Sequence, residues 1–254
     1  MNEWPEGAVD YVQAITDTKL LLSHRYAEWM LAGPSLEDDI GGASAAQDEV
    51  GHVRQLVRLL EQQGRETDWL EGDREPNEFR NAAVLDTASE TWVEHLATVA
   101  TADRAAWYLL DSITAEDFTG LVEKIGQDEY FHLEYHDARL TTLARNRPDE
   151  LQPIVEDALS KTLVFLGPAS YDSDSDPLVQ GGFVDRSAVE LRTALFSHYE
   201  NLFDGTDVSL DDVTREAPSP DEWDATRRRV ENGVISQSVV DSLTGVQNKE
   251  FAVE

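Results

Sequence analysis

Gln47-Asp48-Glu49-Val50-Gly51-His52 and Gln127-Asp128-Glu129-Tyr130-Phe131-His132 are two copies of one pattern, Q-D-E-x-x-H, eighty positions apart. Both lie inside long stretches whose apolar residues recur at helical spacing. On a helix, positions i and i+3 share a face, so Glu49 joins His52 and Glu129 joins His132 on surfaces that can turn inward together. Two such pairs on two helices are half of a carboxylate-bridged dinuclear metal site; two further helices supply one carboxylate each. Imidazole mixed with carboxylate suits iron or manganese and leaves open positions for dioxygen. A metal-bound His donates its other ring N–H to a nearby acceptor, and Asp48 and Asp128, beside the ligand glutamates, are placed for that supporting role. A single E-x-x-H is a common accident in an acidic helical chain; two with identical flanks are not.

Working outward, the periodicity predicts helices over about Ala8–Leu31, Leu36–Gln63, Ala88–Ile113, Ala115–Arg145, Leu151–Leu166 and Arg186–Leu202, with a helical stretch from Pro220 onward. Leu20, Leu21, Leu22, Tyr26 and Trp29 mark the buried side of the first. Gly33-Pro34 ends it, and Ser35, with Asp38 three positions on, caps the second. Thr67 to Pro76 reads as a polar connection, Gly167 to Phe183 as a loop, and Pro148 breaks the fourth helix. No period-2 strand stands out. The expected fold is all-α: a ferritin-like four-helix bundle over about residues 8–146, extended by C-terminal helices over about 151–254, in a single domain.

Third and fourth carboxylates should come from the other two bundle helices. On the third predicted helix the candidate is Asp103, with Glu94 and Asp111 as alternatives. On the first, the position thirty residues before Glu49 is Lys19; Glu28 and Asp17 fall on other faces. Three carboxylates and one ammonium carry the charge that one divalent ion balances, whereas four carboxylates would balance two. An ammonium a few ångströms from a divalent cation is costly in a low-dielectric core. Lys19 therefore replaces one metal, leaving either a salt-bridged relic or a single-metal site. If it loses its proton it becomes a ligand or base beside Glu49 and Glu129, which are the other candidates for proton handling.

Composition excludes several classes. The 254 residues contain 20 Lys+Arg against 51 Asp+Glu, a formal charge of −31, and no cysteine. Zinc fingers, iron–sulfur clusters and disulfide scaffolds all need cysteine. A surface this acidic repels phosphate at ordinary salt, so no nucleic-acid partner is expected. No apolar run is long enough to span a membrane, and no secretory leader opens the chain, so a cytoplasmic location is expected. Only four residues are lysine. This acidic, lysine-poor composition resembles that of proteins from a salt-accumulating cytoplasm, such as a haloarchaeon's.

Other features carry less. Asp172, Asp174 and Asp176 imitate an EF-hand opening, but Pro177 and Phe183 stand where calcium geometry demands Gly and Glu. His24, His95, His136 and His198 lack a second ligand at motif spacing; His136 follows His132 by one turn and is a candidate supporting group. Arg227-Arg228-Arg229, the one basic cluster, reads either as balance for nearby acids or as a contact for a CoA phosphate or an acidic partner. Trp29, Trp107 and Tyr108 read as core in preference to a substrate wall. There is no G-x-S-x-G, P-loop or G-x-G-x-x-G.

The chain resembles the phenylacetic acid catabolic proteins, the PaaA/PaaC type subunits of ring-1,2-phenylacetyl-CoA epoxidase. Tyr26-Ala27-Glu28-Trp29, Pro34-Ser35-Leu36-Glu37-Asp38-Asp39 and Gln47-Asp48-Glu49-x-x-His52 look like the first two helices of that family. Asp103 matches its helix-3 carboxylate and Glu129-x-x-His132 its last motif. Glu78-Phe79-Arg80-Asn81 and a worn tail from Gly233-Val234 to Gln247 look like the C-type subunit. The resemblance implies a di-iron monooxygenase system in phenylacetate degradation. Its A-type subunit is catalytic on phenylacetyl-CoA, and its C-type subunit is mainly structural and pairs with A. Lys19 departs from the metal-binding pattern. The implied function is a PaaC-like structural subunit, holding one or two irons or none. Its partner would be an A-type subunit or a second copy, with an aromatic acyl-CoA nearby. The alternative is a catalytic di-iron or mononuclear oxygenase acting through Glu49, His52, Asp103, Glu129 and His132.

Overall fold

The computed structural model describes residues 4–230 and 232–244. Nine α-helices are found among them: α1 (Ala8–Glu28), α2 (Leu36–Gln62), α3 (Thr67–Glu71), α4 (Trp92–Asp111), α5 (Thr119–Asn146), α6 (Pro148–Leu166), α7 (Pro177–Gln180), α8 (Ala188–Phe203) and α9 (Gln237–Leu243). No β-strand occurs among the described residues, only two isolated bridges, Ile113 with Val184 and Asp224 with Arg229. The class is all-α, and the arrangement is a ferritin-like bundle. Helix α1 packs on α2 and α4, α4 on α5, and α5 on α2, closing a ring of four. Helix α6 lies against the outer side of α4, with α8 behind it. No helix among the described residues is long and apolar enough to cross a membrane.

Local chemistry explains the boundaries. The Ser35 hydroxyl accepts from the Asp38 N–H and donates to its carboxylate, starting α2. The Thr91 hydroxyl accepts from the Glu94 N–H, so α4 begins four residues later than the periodicity suggests. Ser187 and Glu190 form a capping box at α8. Helix α1 stops at Glu28, short of Leu31, whose φ is +66°. Helix α6 begins at Pro148, where the missing N–H costs nothing. Helix α4 is buried on almost every side because it is shared by the bundle and α6. Ala97, Ala100, Ala102, Ala105 and Ala106 let its neighbours approach closely.

The tail corrects one expectation. The described residues between Pro220 and Ile235 run in turns and extended backbone, not a helix; the first later helix is α9. Arginines hold it there. Arg228 donates to the Phe165 and Leu166 carbonyls at the C-terminus of α6 (2.9 and 2.7 Å). Arg229 pairs with Asp86 at 2.7 Å and donates to the Asn81 carbonyl. The Arg227–Arg229 cluster thus binds the tail to the bundle, and two of its three side chains are buried. The rest of the C-terminal helical expectation, with the end of the tail resemblance, lies outside the described residues. The polar connection after α2 and the Gly167–Phe183 loop each contain a short helix, α3 and α7. The Asp172, Asp174 and Asp176 cluster serves the backbone: Asp172 accepts from the Asp174 N–H, and Asp176 caps α7 and accepts from the Ala188 N–H.

Candidate metal centre

The four bundle helices bring one set of charged side chains to the bundle axis. Helix α1 contributes Lys19, α2 Glu49 and His52, α4 Asp103, and α5 Glu129 and His132. Lys19, Glu49, Asp103 and Glu129 have no exposed surface at all. The Lys19 ammonium lies among the three carboxylates. It donates to both Glu49 oxygens at 3.0 and 3.2 Å, to Asp103 at 3.4 Å and to Glu129 at 2.5 Å. Glu28 and Asp17 lie elsewhere, Glu28 with Arg25 and Asp17 with Arg74. Glu94 caps its own helix, and Asp111 pairs with Arg186.

The two histidines are braced crosswise. His52 Nε2 lies 3.2 Å from Asp128, and His132 Nε2 lies 3.3 Å from Asp48. Each Asp therefore serves the histidine of the other motif, while half-exposed at the α2–α5 surface. The spacing of one motif places a carboxylate near a ring but does not show that the pairs cross between helices. With Nε2 so engaged, both Nδ1 atoms face the cluster. His52 Nδ1 is 3.6 Å from Glu49 and 3.5 Å from Glu129, and His132 Nδ1 is 3.7 Å from Asp103. Among the described residues neither Nδ1 has a hydrogen-bond partner, nor does Glu129 Oε2, although all three are buried.

Two residues beyond the motifs join the site. The Tyr26 hydroxyl lies 2.7 Å from His136 Nε2 and 3.4 Å from Asp103. The one-turn spacing of His136 from His132 was the only sequence signal for it. His24 sits near Glu28, His95 stacks on Trp29, and His198 meets Asp137, so these three stand apart. Trp107 and Tyr108 pack half-buried against the core, Trp107 over Gly126, whereas Trp29, also half-buried, meets Trp92 and His95.

Burial works against every charge here. It would push the Lys19 ammonium down, but Glu129, Glu49 and Asp103 outweigh it and hold its pKa well above the ordinary lysine range. Burial lifts Glu49 to about 8 against the pull of Lys19. It lifts Glu129 well above the usual range, helped by the Asp103 charge. Burial pushes Asp103 up as well, but Lys19, His132 and His136 overcome it and leave Asp103 below the usual carboxylate range. Burial thus favours the protonated form of both glutamates, which offsets negative charge that the single ammonium leaves unbalanced.

Glu49, Asp103, Glu129 and His132 offer ligand atoms within 4.8 Å of one another and could hold a metal ion. The partnerless Nδ1 atoms and Glu129 Oε2 have the donor chemistry for it. Two ions do not fit. The Lys19 ammonium fills the space among the three carboxylates, and the set lacks the carboxylate that would neutralise a second ion. The residues present therefore suit one divalent ion or none. A family model described as phenylacetic acid catabolic protein matches residues 2–236. No curated protein matches the chain.

Proposed function

The chain belongs to the phenylacetic acid catabolic protein family, and from that premise we propose that it is a C-type, mainly structural subunit of a phenylacetyl-CoA epoxidase-like multicomponent monooxygenase. The observation that carries this reading is the Lys19 ammonium bonded to all three buried carboxylates. It pins α1, α2, α4 and α5 together from within, the task a metal performs in a catalytic relative. Oxygen activation then falls to an A-type partner, and this chain supplies a rigid face for it. Met30, Leu31, Leu36 and Ile40, exposed around the α1–α2 turn, and Tyr130 and Phe131 on α5 give it apolar surface for such contact. A shared aromatic acyl-CoA site and a cytoplasmic setting belong to the same reading.

A second reading is favoured by the partnerless Nδ1 atoms: a mononuclear centre held by Glu49, Asp103, Glu129 and His132. Iron bound there would supply redox chemistry toward dioxygen. Lys19 would turn its ammonium toward carboxylate oxygens that the ion leaves free, Glu49 and Glu129 would release protons, and Asp48 and Asp128 would keep the rings aligned.

Elemental analysis of protein purified in molar KCl separates the readings. No metal, even after anaerobic iron loading, is the expected result. About one ion per chain supports the mononuclear centre, and about two, the complement of a complete carboxylate-bridged site, overturn both.

A further inference from the structure

A second site lies in the outer layer, away from the bundle axis. Six arginines are buried among the described residues: Arg25, Arg74, Arg104, Arg192, Arg228 and Arg229. Four meet a carboxylate: Glu28, Asp17, Asp137 and Asp86 respectively receive Arg25, Arg74, Arg104 and Arg229. Arg228 has no carboxylate but lies over the faces of Tyr11 and Trp223, whose ring electrons offset its charge. Arg192 has neither. Its Nη1 donates to the Leu163 carbonyl and, at 3.5 Å, to that of Gly167; its Nη2 donates to the Arg215 carbonyl at 2.9 Å. Its Nε has no acceptor among the described residues. In a chain with 51 acidic residues, a buried guanidinium without an anion is an exception that calls for a charge partner.

That guanidinium lines a cleft of about 510 Å³ between α6, α8 and the segment at Arg215–Ala217. Leu163, Val189 and Phe196 give the cleft apolar walls, and Thr193 and Ser197 add hydroxyls. Arg215 lies over the Phe196 ring at 3.7 Å and is paired at 3.8 Å with Glu200, which lines the cleft beside it, so Arg215 is a second cation at the cleft already matched by one carboxylate and Arg192 is the unmatched one. The volume is that of a small-molecule pocket. None of the residues around Lys19 contributes to it. Burial also pushes the Arg192 pKa down to about 10, with no carboxylate drawing it back up.

We propose that this cleft is a binding site for a small amphiphilic monoanion, a carboxylate carried on an apolar aryl or alkyl body. The carboxylate meets the free edge of Arg192, with Arg215 beside it, and the apolar body lies along Leu163, Val189 and Phe196. A planar guanidinium fork matches a carboxylate better than it matches a spherical halide, so the site works in high salt. This inference is independent of whether the bundle holds metal, and it stands or falls separately.

The test is calorimetric titration of the full chain in molar KCl with 2-naphthoate and with decanoate. Inorganic phosphate serves as the anion without a body, and 2-naphthalenemethanol as the body without an anion. The expected result is one-to-one binding of at least one carboxylate, with neither control binding comparably. Aryl and alkyl bodies are distinguished by which titrant binds more tightly. Arg215→Gln should weaken binding by about tenfold, and Ser197→Trp, which fills the cleft, should abolish it while the melting temperature holds. Arg192→Gln also removes backbone bonds, so these two variants carry the test. Absence of heat with both carboxylates, equal binding of phosphate, or unchanged affinity in both variants would overturn the assignment.

Discussion

Lys19 shows how far one side chain can redirect a site. Lys19→Glu restores a fourth carboxylate and should bring the chain to about two divalent ions after iron loading, with near-ultraviolet absorption to match. A metal-free variant under iron-replete conditions would refute the charge argument. Lys19→Met leaves three buried carboxylates facing one another. It should cost about 3 kcal/mol in denaturant unfolding on the alkaline side of pH 8, where Glu49 gives up its proton, and less toward neutral and acid pH, where burial keeps the glutamates protonated. The sequence made the position of Lys19 legible because α1 and α2 are antiparallel neighbours, so a residue about thirty before Glu49 falls level with it. The crossed histidine supports were not legible. An i,i+3 spacing fixes a face of one helix, but which carboxylate of another helix stands opposite the ring depends on the relative rotation of α2 and α5. The unpaired Arg192 was invisible for a similar reason, since the absence of an ion pair is a property of packing.

Helices were legible where capping chemistry is local, and misread where long-range bonds take over. Ser35 announces α2 because its partner is three residues away. The segment after Pro220 has helix-compatible residues, yet Arg228 is drawn to the end of α6 and Arg229 to Asp86. Those bonds outweigh a weak propensity. Arg228 even adopts a φ of +54° on the way. Helix junctions give a further prediction. Gly167 ends α6 with φ +125°, and a Cβ there would lie 2.8 Å from the Ala188 Cβ at the start of α8. Gly167→Ala should therefore destabilise by about 1–3 kcal/mol. Ser187→Ala, which removes the capping box of α8, should cost about 1 kcal/mol; thermal unfolding measures both.

The whole molecule must hold together against its own charge. A net −31 on 254 residues repels itself at low ionic strength, and molar salt shortens the screening length to about 3 Å. The unfolding midpoint should rise between about 0.1 and 2 M KCl; a flat profile would show that the acidic surface does not govern stability. His95 sets part of the response to acid. Burial lowers its pKa from 6.5 to about 3, so between those values the unfolded chain binds a proton that the folded one does not. Its contribution is intact above about pH 6.5 and is lost as pH falls toward 3, by up to about 1.4 kcal/mol per unit. His95→Phe should gain on the native chain across that window. The ammonium at the bundle axis has one more consequence. A bundle closed by a metal depends on supply and yields to a chelator; one closed by a lysine carries its clasp in its own polypeptide. That clasp is present wherever the chain is, and on the structural-subunit reading iron starvation should leave the fold intact.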